Sequence, residues 1–186
     1  MTRMFVATYP PPEAIDHLEA FLDPRREAAD FRWTLPEQWH LTLAFLSDVP
    51  ERAQDELIER LERAAAKRGA MTASITGGGA FPAPDRAKVL WAGLEVDEPD
   101  ALQALASGCR AAAAKAGCPP SGERFRPHLT IGRPGRPTPA SKWVRLLDSY
   151  RGPAWTLDEV TLVASHLGEG PGKRPRHEVL STFPLS

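Results

Sequence analysis

Two stretches of the chain repeat one pattern, His40-Leu41-Thr42-Leu43 and His128-Leu129-Thr130-Ile131. Polar and aliphatic residues alternate in both with a period of two, the period of a β-strand. Leu41, Leu43, Leu129 and Ile131 then point to one face and anchor it in a core. Each copy presents an imidazole and a hydroxyl together on the other face. A chain that carries this pattern twice needs a β-framework able to hold two such strands near one another.

The flanking sequence supplies that framework in two similarly organised halves. In the first, residues 5–8 read as a strand stopped by Pro10-Pro11-Pro12, and Ile15, Leu18, Phe21 and Leu22 recur at helical spacing until about Pro24. The first H-x-T strand spans 40–46. A helix carrying Leu57, Ile58, Leu61 and Ala65 follows, with Gly69 as its expected C-cap. Residues 72–76 form another strand running into Gly77-Gly78-Gly79, a run that regular structure avoids.

The second half has a strand at 89–96 and a helix at 100–116, with Leu102, Leu105, Ala106 and Cys109 on one face, ended by Gly117 and Pro119-Pro120. Then come the second H-x-T strand at 125–131, a short helix at 141–147, and strands at 160–163 and 178–180. Strands separated by helices predict an α+β domain with the helices outside. The pattern leaves the strand order open.

Composition narrows the class. The 186 residues suit one compact unit, and no apolar run approaches the roughly 20 residues that cross a bilayer. The N-terminal apolar stretch is too short for a signal peptide and reads as a first strand. Cys109 and Cys118 lack CxxC spacing, so neither a zinc site nor a disulfide framework is expected, and a reducing cytoplasm fits them. The net charge of −1 excludes a wholly basic binder. Between Arg124 and Arg145, however, Arg126, Arg133, Arg136 and Lys142 occur without an acidic residue. Arg126, Arg133 and Arg136 are expected to place positive potential at one mouth of the cleft.

The two H-x-T strands, side by side or facing across a cleft, would line it with two imidazoles and two hydroxyls. Histidine titrates near neutral pH, so one can accept a proton while the other donates one. Phosphodiester hydrolysis needs that pair: a base for the attacking water and an acid for the departing ribose oxygen. Thr42 and Thr130 can donate hydrogen bonds to the non-bridging phosphate oxygens. The scheme calls for no metal and no cofactor. A lone H-x-T tripeptide is usually structural; two copies in corresponding places favour chemistry.

Several stretches together resemble the two-histidine (2H) phosphoesterases, and within them the RNA 2',3'-cyclic phosphodiesterases also called 2'-5' RNA ligases. They are Arg3-Met4-Phe5-Val6-Ala7, Trp39-His40-Leu41-Thr42-Leu43-Ala44-Phe45-Leu46, Gly79-Ala80-Phe81-Pro82, Val89-Leu90-Trp91-Ala92-Gly93 and Phe125-Arg126-Pro127-His128-Leu129-Thr130-Ile131-Gly132-Arg133. The resemblance covers nearly the whole chain. It implies a bilobal α+β fold with two pseudo-symmetric antiparallel sheets and outer helices flanking a central cleft, so that residues 1–186 make a single domain of two lobes. It also implies His40 as proton donor, His128 as proton acceptor, and opening of 2',3'-cyclic ends to 2'-phosphates. The expected partners are RNA ends or small nucleotides carrying that group, bound by a monomer. Two departures, Ser47 for a glycine and His177 for a tyrosine, bear on the cleft rim and not on the H-x-T groups.

Arg133 follows Gly132, which lets the backbone turn, and its guanidinium suits a phosphate. Phe45 and Phe125 are candidates for stacking on a base, but both positions also suit a core, which is the expected place of Phe45. His166 and His177 read as bystanders and His17 as a surface residue. The competing functions are a nucleotide- or RNA-end-binding module without turnover, a phosphodiesterase for a small cyclic nucleotide, and the reverse ligation.

Overall fold

The computed structural model describes residues 1–122 and 124–186. The chain runs β1 (Thr2–Thr8), α1 (Pro12–Leu22), β2 (Phe31–Trp33), β3 (Leu41–Val49), α2 (Gln54–Ala66), β4 (Met71–Phe81) and β5 (Val89–Val96), then α3 (Pro99–Lys115), β6 (His128–Pro134), α4 (Ser141–Asp148), β7 (Trp155–Leu157), β8 (Glu159–His166) and β9 (Arg176–Pro184). Pro12 and Pro99 open α1 and α3 at positions where a missing N–H costs nothing. The helices bury one stripe each, Leu57, Leu61 and Ala65 in α2 and Leu102, Leu105, Ala106 and Cys109 among others in α3. Gly117, with φ +84°, lets the backbone turn left-handed after α3, and the Cys118 N–H closes on the Ala113 carbonyl at 2.9 Å. Gly69 does not play that part for α2, which is capped earlier, at Lys67, with right-handed backbone.

All strand pairs are antiparallel, in the order β7-β4-β5-β6-β3-β1-β8-β9, with β2 added along β6. The ladder divides into two lobes of four strands, β3-β1-β8-β9 and β6-β5-β4-β7. They meet at a seam where Leu41 of β3 stands opposite Leu129 of β6. With β2, β7 and β9 set aside, each sequence half reads β-α-β-α-β, and each gives the last of these strands to the other lobe: β4 lies beside β5, and β8 beside β1. Helices α2 and α3 pack on one another and on the lobe of β3, β8 and β9, while α1 and α4 lie against β4. This non-local exchange is what the sequence pattern left open.

Leu41, Leu43, Leu129 and Ile131 are at most 2% exposed. Burying each such side chain contributes about 1.5–3 kcal/mol, which anchors both strands beneath the histidines although the strands themselves meet at a single pair.

The Gly77-Gly78-Gly79 run departs from its sequence reading, because β4 passes straight through it. A side chain at Gly79 would fall inside the Trp91 indole, and one at Gly78 would meet Leu147 at 2.6 Å. Gly77, at φ +68°, carries a β-bulge, one extra residue between the pairs Ile75–Leu94 and Gly78–Ala92. The glycines are a seat for Trp91 and not a break in the strand. Two short strands, β2 and β7, have too few residues for periodicity to reveal them.

Candidate active site

His40 immediately precedes β3 and His128 begins β6, so the seam sets the two imidazoles on neighbouring strands. Each ring is held in the same way. The Nδ1 of His40 lies 2.7 Å from the Gln38 carbonyl, and that of His128 lies 2.7 Å from the Arg126 carbonyl. A carbonyl oxygen only accepts, so Nδ1–H donates in both rings and Nε2 is left to gain or lose the second proton. Both histidines, with Thr42 and Thr130, line one cleft of about 450 Å³.

The strands reach the same geometry through matching bulges. Between the pairs Val6–Ala44 and Ala7–Thr42, β3 holds an extra residue, Leu43; between Leu90–Gly132 and Trp91–Thr130, β6 holds Ile131. An extra residue reverses the alternation beyond it. Leu43 and Ala44 are therefore both buried and Phe45 returns to the cleft face; Ile131 and Gly132 are both buried and Arg133 returns to it. This corrects the core assignment of Phe45, whose ring lines the cleft with the Arg3 guanidinium 4.4 Å from its centroid. Phe125 packs against the main core and is not among the cleft-lining residues. Gly132 is no turn either. It lies within β6, opposite Trp33, where a Cβ would press on the indole at 3.1 Å.

Aromatic rings enclose both imidazoles. His40 stacks on Phe5 at 4.6 Å, with Tyr9 and His177 each at 5.7 Å. His128 meets the rings of Phe81 at 5.0 Å and Trp91 at 6.1 Å. Removal from water disfavours the charged imidazole and outweighs the bond to the Gln38 carbonyl, so His40 is pushed down to about 4; the nearby His177 and His128 act in the same direction. His128 is lowered as well, by burial first and by Arg133 and Arg126 after it. His177 is lowered by burial.

The cleft gathers cations that the sequence scatters. Arg3, Arg32, Arg133 and Arg174 line it, and among the described residues no carboxylate does. Arg174 donates from Nε and Nη2 to the Trp33 carbonyl, at 3.1 and 2.9 Å, and Arg32 donates to the Gly172 carbonyl. The expected trio of Arg126, Arg133 and Arg136 is split. Only Arg133 lines the cleft; Arg126 sits over the Phe81 ring, and Arg136 lies past Pro134, where the chain leaves the sheet and lines another groove. Arg3, Arg32 and Arg174 were missed because they come from distant segments. The alternation Arg3-x-Phe5-x-Ala7 was the one local signal for any of them.

Of the remaining histidines, His177 lines the cleft, while His166 bonds Glu178 at 2.9 Å outside it and exposed His17 pairs with the Tyr150 hydroxyl at 2.7 Å. Both cysteines are free and buried, and burial pushes the Cys109 thiol up to about 12, so neither is an available nucleophile.

Among the described residues, no helix is long and apolar enough to cross a membrane. The chain is 28% identical to an RNA 2',3'-cyclic phosphodiesterase of Geobacillus stearothermophilus, over 99% of its own length and 57% of the relative's. It thus spans little more than half of that protein. Two solved structures share the fold over nearly complete lengths. TT0787 of Thermus thermophilus is 29% identical with a TM-score of 0.80, covering 98% of this chain and 97% of that one. E. coli LigT complexed with 3'-AMP is 25% identical with a TM-score of 0.75, covering 100% and 98%. The model of the 2'-5' RNA ligase superfamily matches residues 5–169, and the chain belongs to that family.

Proposed function

We propose that residues 1–186 form one two-lobed domain that hydrolyses RNA 2',3'-cyclic phosphate ends to 2'-phosphomonoesters, with His40 as general acid and His128 as general base. The observation that carries this reading is the paired pinning of Nδ1, which turns two otherwise separate imidazoles into two Nε2 proton-transfer atoms on one cleft. A pure binding site has no need of such a pair. The name of the Geobacillus relative and the 3'-AMP complex of LigT support the same substrate class.

In this mechanism the phosphate sits between the histidines. Arg133 pairs one non-bridging oxygen, and the Thr42 and Thr130 hydroxyls donate to the others, where charge accumulates in the transition state. His128 Nε2 takes the proton of the attacking water, and protonated His40 Nε2 delivers one to the departing 3' oxygen. Free His40 is neutral at pH 7. An anionic phosphodiester beside it favours its charged form, so the substrate itself helps to load the acid. The chemistry requires no metal. Every group named comes from one chain, so the scheme calls on no second subunit.

The test is product analysis. Purified protein is incubated with a 2',3'-cyclic nucleotide and with an oligonucleotide ending in a cyclic phosphate, each with and without a chelator. Formation of a 2'-phosphomonoester at a chelator-independent rate is expected. Tight binding without turnover would leave a binding module in its place.

A further inference from the structure

A second, larger concavity shares a wall with the histidine cleft. Phe31 of β2 lines it, whereas the next two residues of that strand, Arg32 and Trp33, line the cleft. The wall is an aromatic cluster: Phe31–Trp33 at 5.3 Å, Trp33–Trp143 at 5.2 Å and Phe31–Trp143 at 6.0 Å between centroids. The groove encloses about 1320 Å³, roughly three times the cleft, far more than a single phosphate needs. Arg25, Arg136, Lys142 and Arg145 line it against one carboxylate, Asp30. None of these four cations forms a salt bridge among the described residues.

The two concavities are linked by charge as well as by the wall. Arg133 in the cleft and Arg136 in the groove are three residues apart at the end of β6, a span of at most about 10 Å. Opposite Arg133 in the register stands Arg32. A polyanion whose end is fixed between the histidines thus meets cations continuously as it leaves, first Arg133 and Arg32, then Arg136. A partly buried Trp143 indole lines the groove, and an aromatic face accepts any base.

We infer that this groove holds the upstream nucleotides of a single-stranded RNA whose cyclic-phosphate end occupies the histidine cleft. The inference rests on the cyclic phosphodiesterase reading and names its substrate class: oligonucleotide ends, not small cyclic nucleotides. Groove cations contact the backbone and the Trp143 face takes a base, so recognition is by charge and stacking, without sequence preference.

The experiment compares kcat/KM for a 2',3'-cyclic mononucleotide and for a single-stranded octanucleotide with the same end. The proteins are the wild type and the triple variant Arg136→Glu, Lys142→Glu, Arg145→Glu. These side chains are exposed and outside the cleft, and Arg136→Ala with Lys142→Ala provides a milder pair. Wild type is expected to prefer the octanucleotide by about tenfold or more, given the steepness of phosphate-contact effects. The triple variant should lose that preference while its mononucleotide turnover is unchanged. Its log–log salt slope for octanucleotide binding should fall by about 2, at about 0.7 per contact in single strands. Equal octanucleotide turnover by wild type and both variants overturns the inference while leaving the catalytic reading intact. An acidic peptide of matched charge that competes as well as the octanucleotide overturns it in favour of a protein partner. Wild type that opens neither substrate removes the catalytic reading on which it stands.

Discussion

Phe45 and Arg133 occupy the same place in the two lobes: each lies three residues beyond its H-x-T threonine, and each is returned to the cleft by one extra residue in its strand. The repeat thus supplies shared parts, the imidazole and the hydroxyl, and then diverges at one position. One lobe offers an aromatic face and the other a guanidinium.

That division predicts different kinetic losses. Arg133→Ala is expected to lower kcat/KM by about 10- to 100-fold, the worth of a charge-assisted hydrogen bond of about 1.5–3 kcal/mol. If Phe45 stacks on the base, Phe45→Ala should act mainly on KM, because such stacking is shared by ground and transition states. Separate determination of kcat and KM for both variants checks this. A Phe45→Ala effect confined to kcat would rule out base stacking.

Gly79 offers a test of how the fold supports His128. Any side chain there collides with the Trp91 indole, which also packs against the His128 ring. Gly79→Ala is expected to cost about 1–3 kcal/mol by overpacking. For a chain of this length that lowers Tm by several degrees, at about 2–4 °C per kcal/mol. Thermal unfolding measures it, and an unchanged Tm would show that Trp91 moves freely.

The depressed His40 pKa makes stability depend on pH in one direction. Above about 6.5 the imidazole is neutral in both the folded and the unfolded chain, and its contribution is fully present. As pH falls from there through the folded value of about 4, the unfolded chain binds the proton first, so stability is lost across that window. His40→Gln should flatten this segment of the unfolding free energy. Inorganic phosphate should raise the His40 pKa in an NMR titration, since an anion in the cleft favours imidazolium. A pKa unmoved by saturating phosphate would mean that the anion binds away from His40.

The face that carries the two histidines and two threonines was legible because it is local. Period-two alternation in His40-Leu41-Thr42-Leu43 and in His128-Leu129-Thr130-Ile131 places both groups correctly without knowledge of any partner strand. Helices with long apolar stripes, such as α3, were equally plain. What failed depended on contacts from elsewhere in the chain. Phe45 was misread because a bulge is set by the partner register, and Gly77 to Gly79 because their reason is a tryptophan on the next strand. Arg174 reaches the cleft from a loop more than a hundred residues after His40, joined to it by Trp33. No window on the sequence contains that pairing.

Substitution separates the proposed proton-transfer pair from the proposed phosphate-binding groups. If His128 acts as base and His40 as acid, the rate rises with pH as His128 loses its proton and falls as substrate-loaded His40 loses its own, giving a bell. Burial lowers both groups in the free protein, so the kcat/KM profile should lie to the acid side of the kcat profile, in which bound phosphate favours charged His40. His40→Ala and His128→Ala should each cost about 10²-fold or more in kcat, the usual contribution of a positioned acid or base. Thr42→Val and Thr130→Val keep the branched strand shape and remove only the hydroxyl, so both should slow turnover at unchanged Tm. The rate of 2',3'-cyclic phosphate opening by folded His40→Ala and His128→Ala proteins decides the matter: near-wild-type turnover in either one removes that histidine from the mechanism.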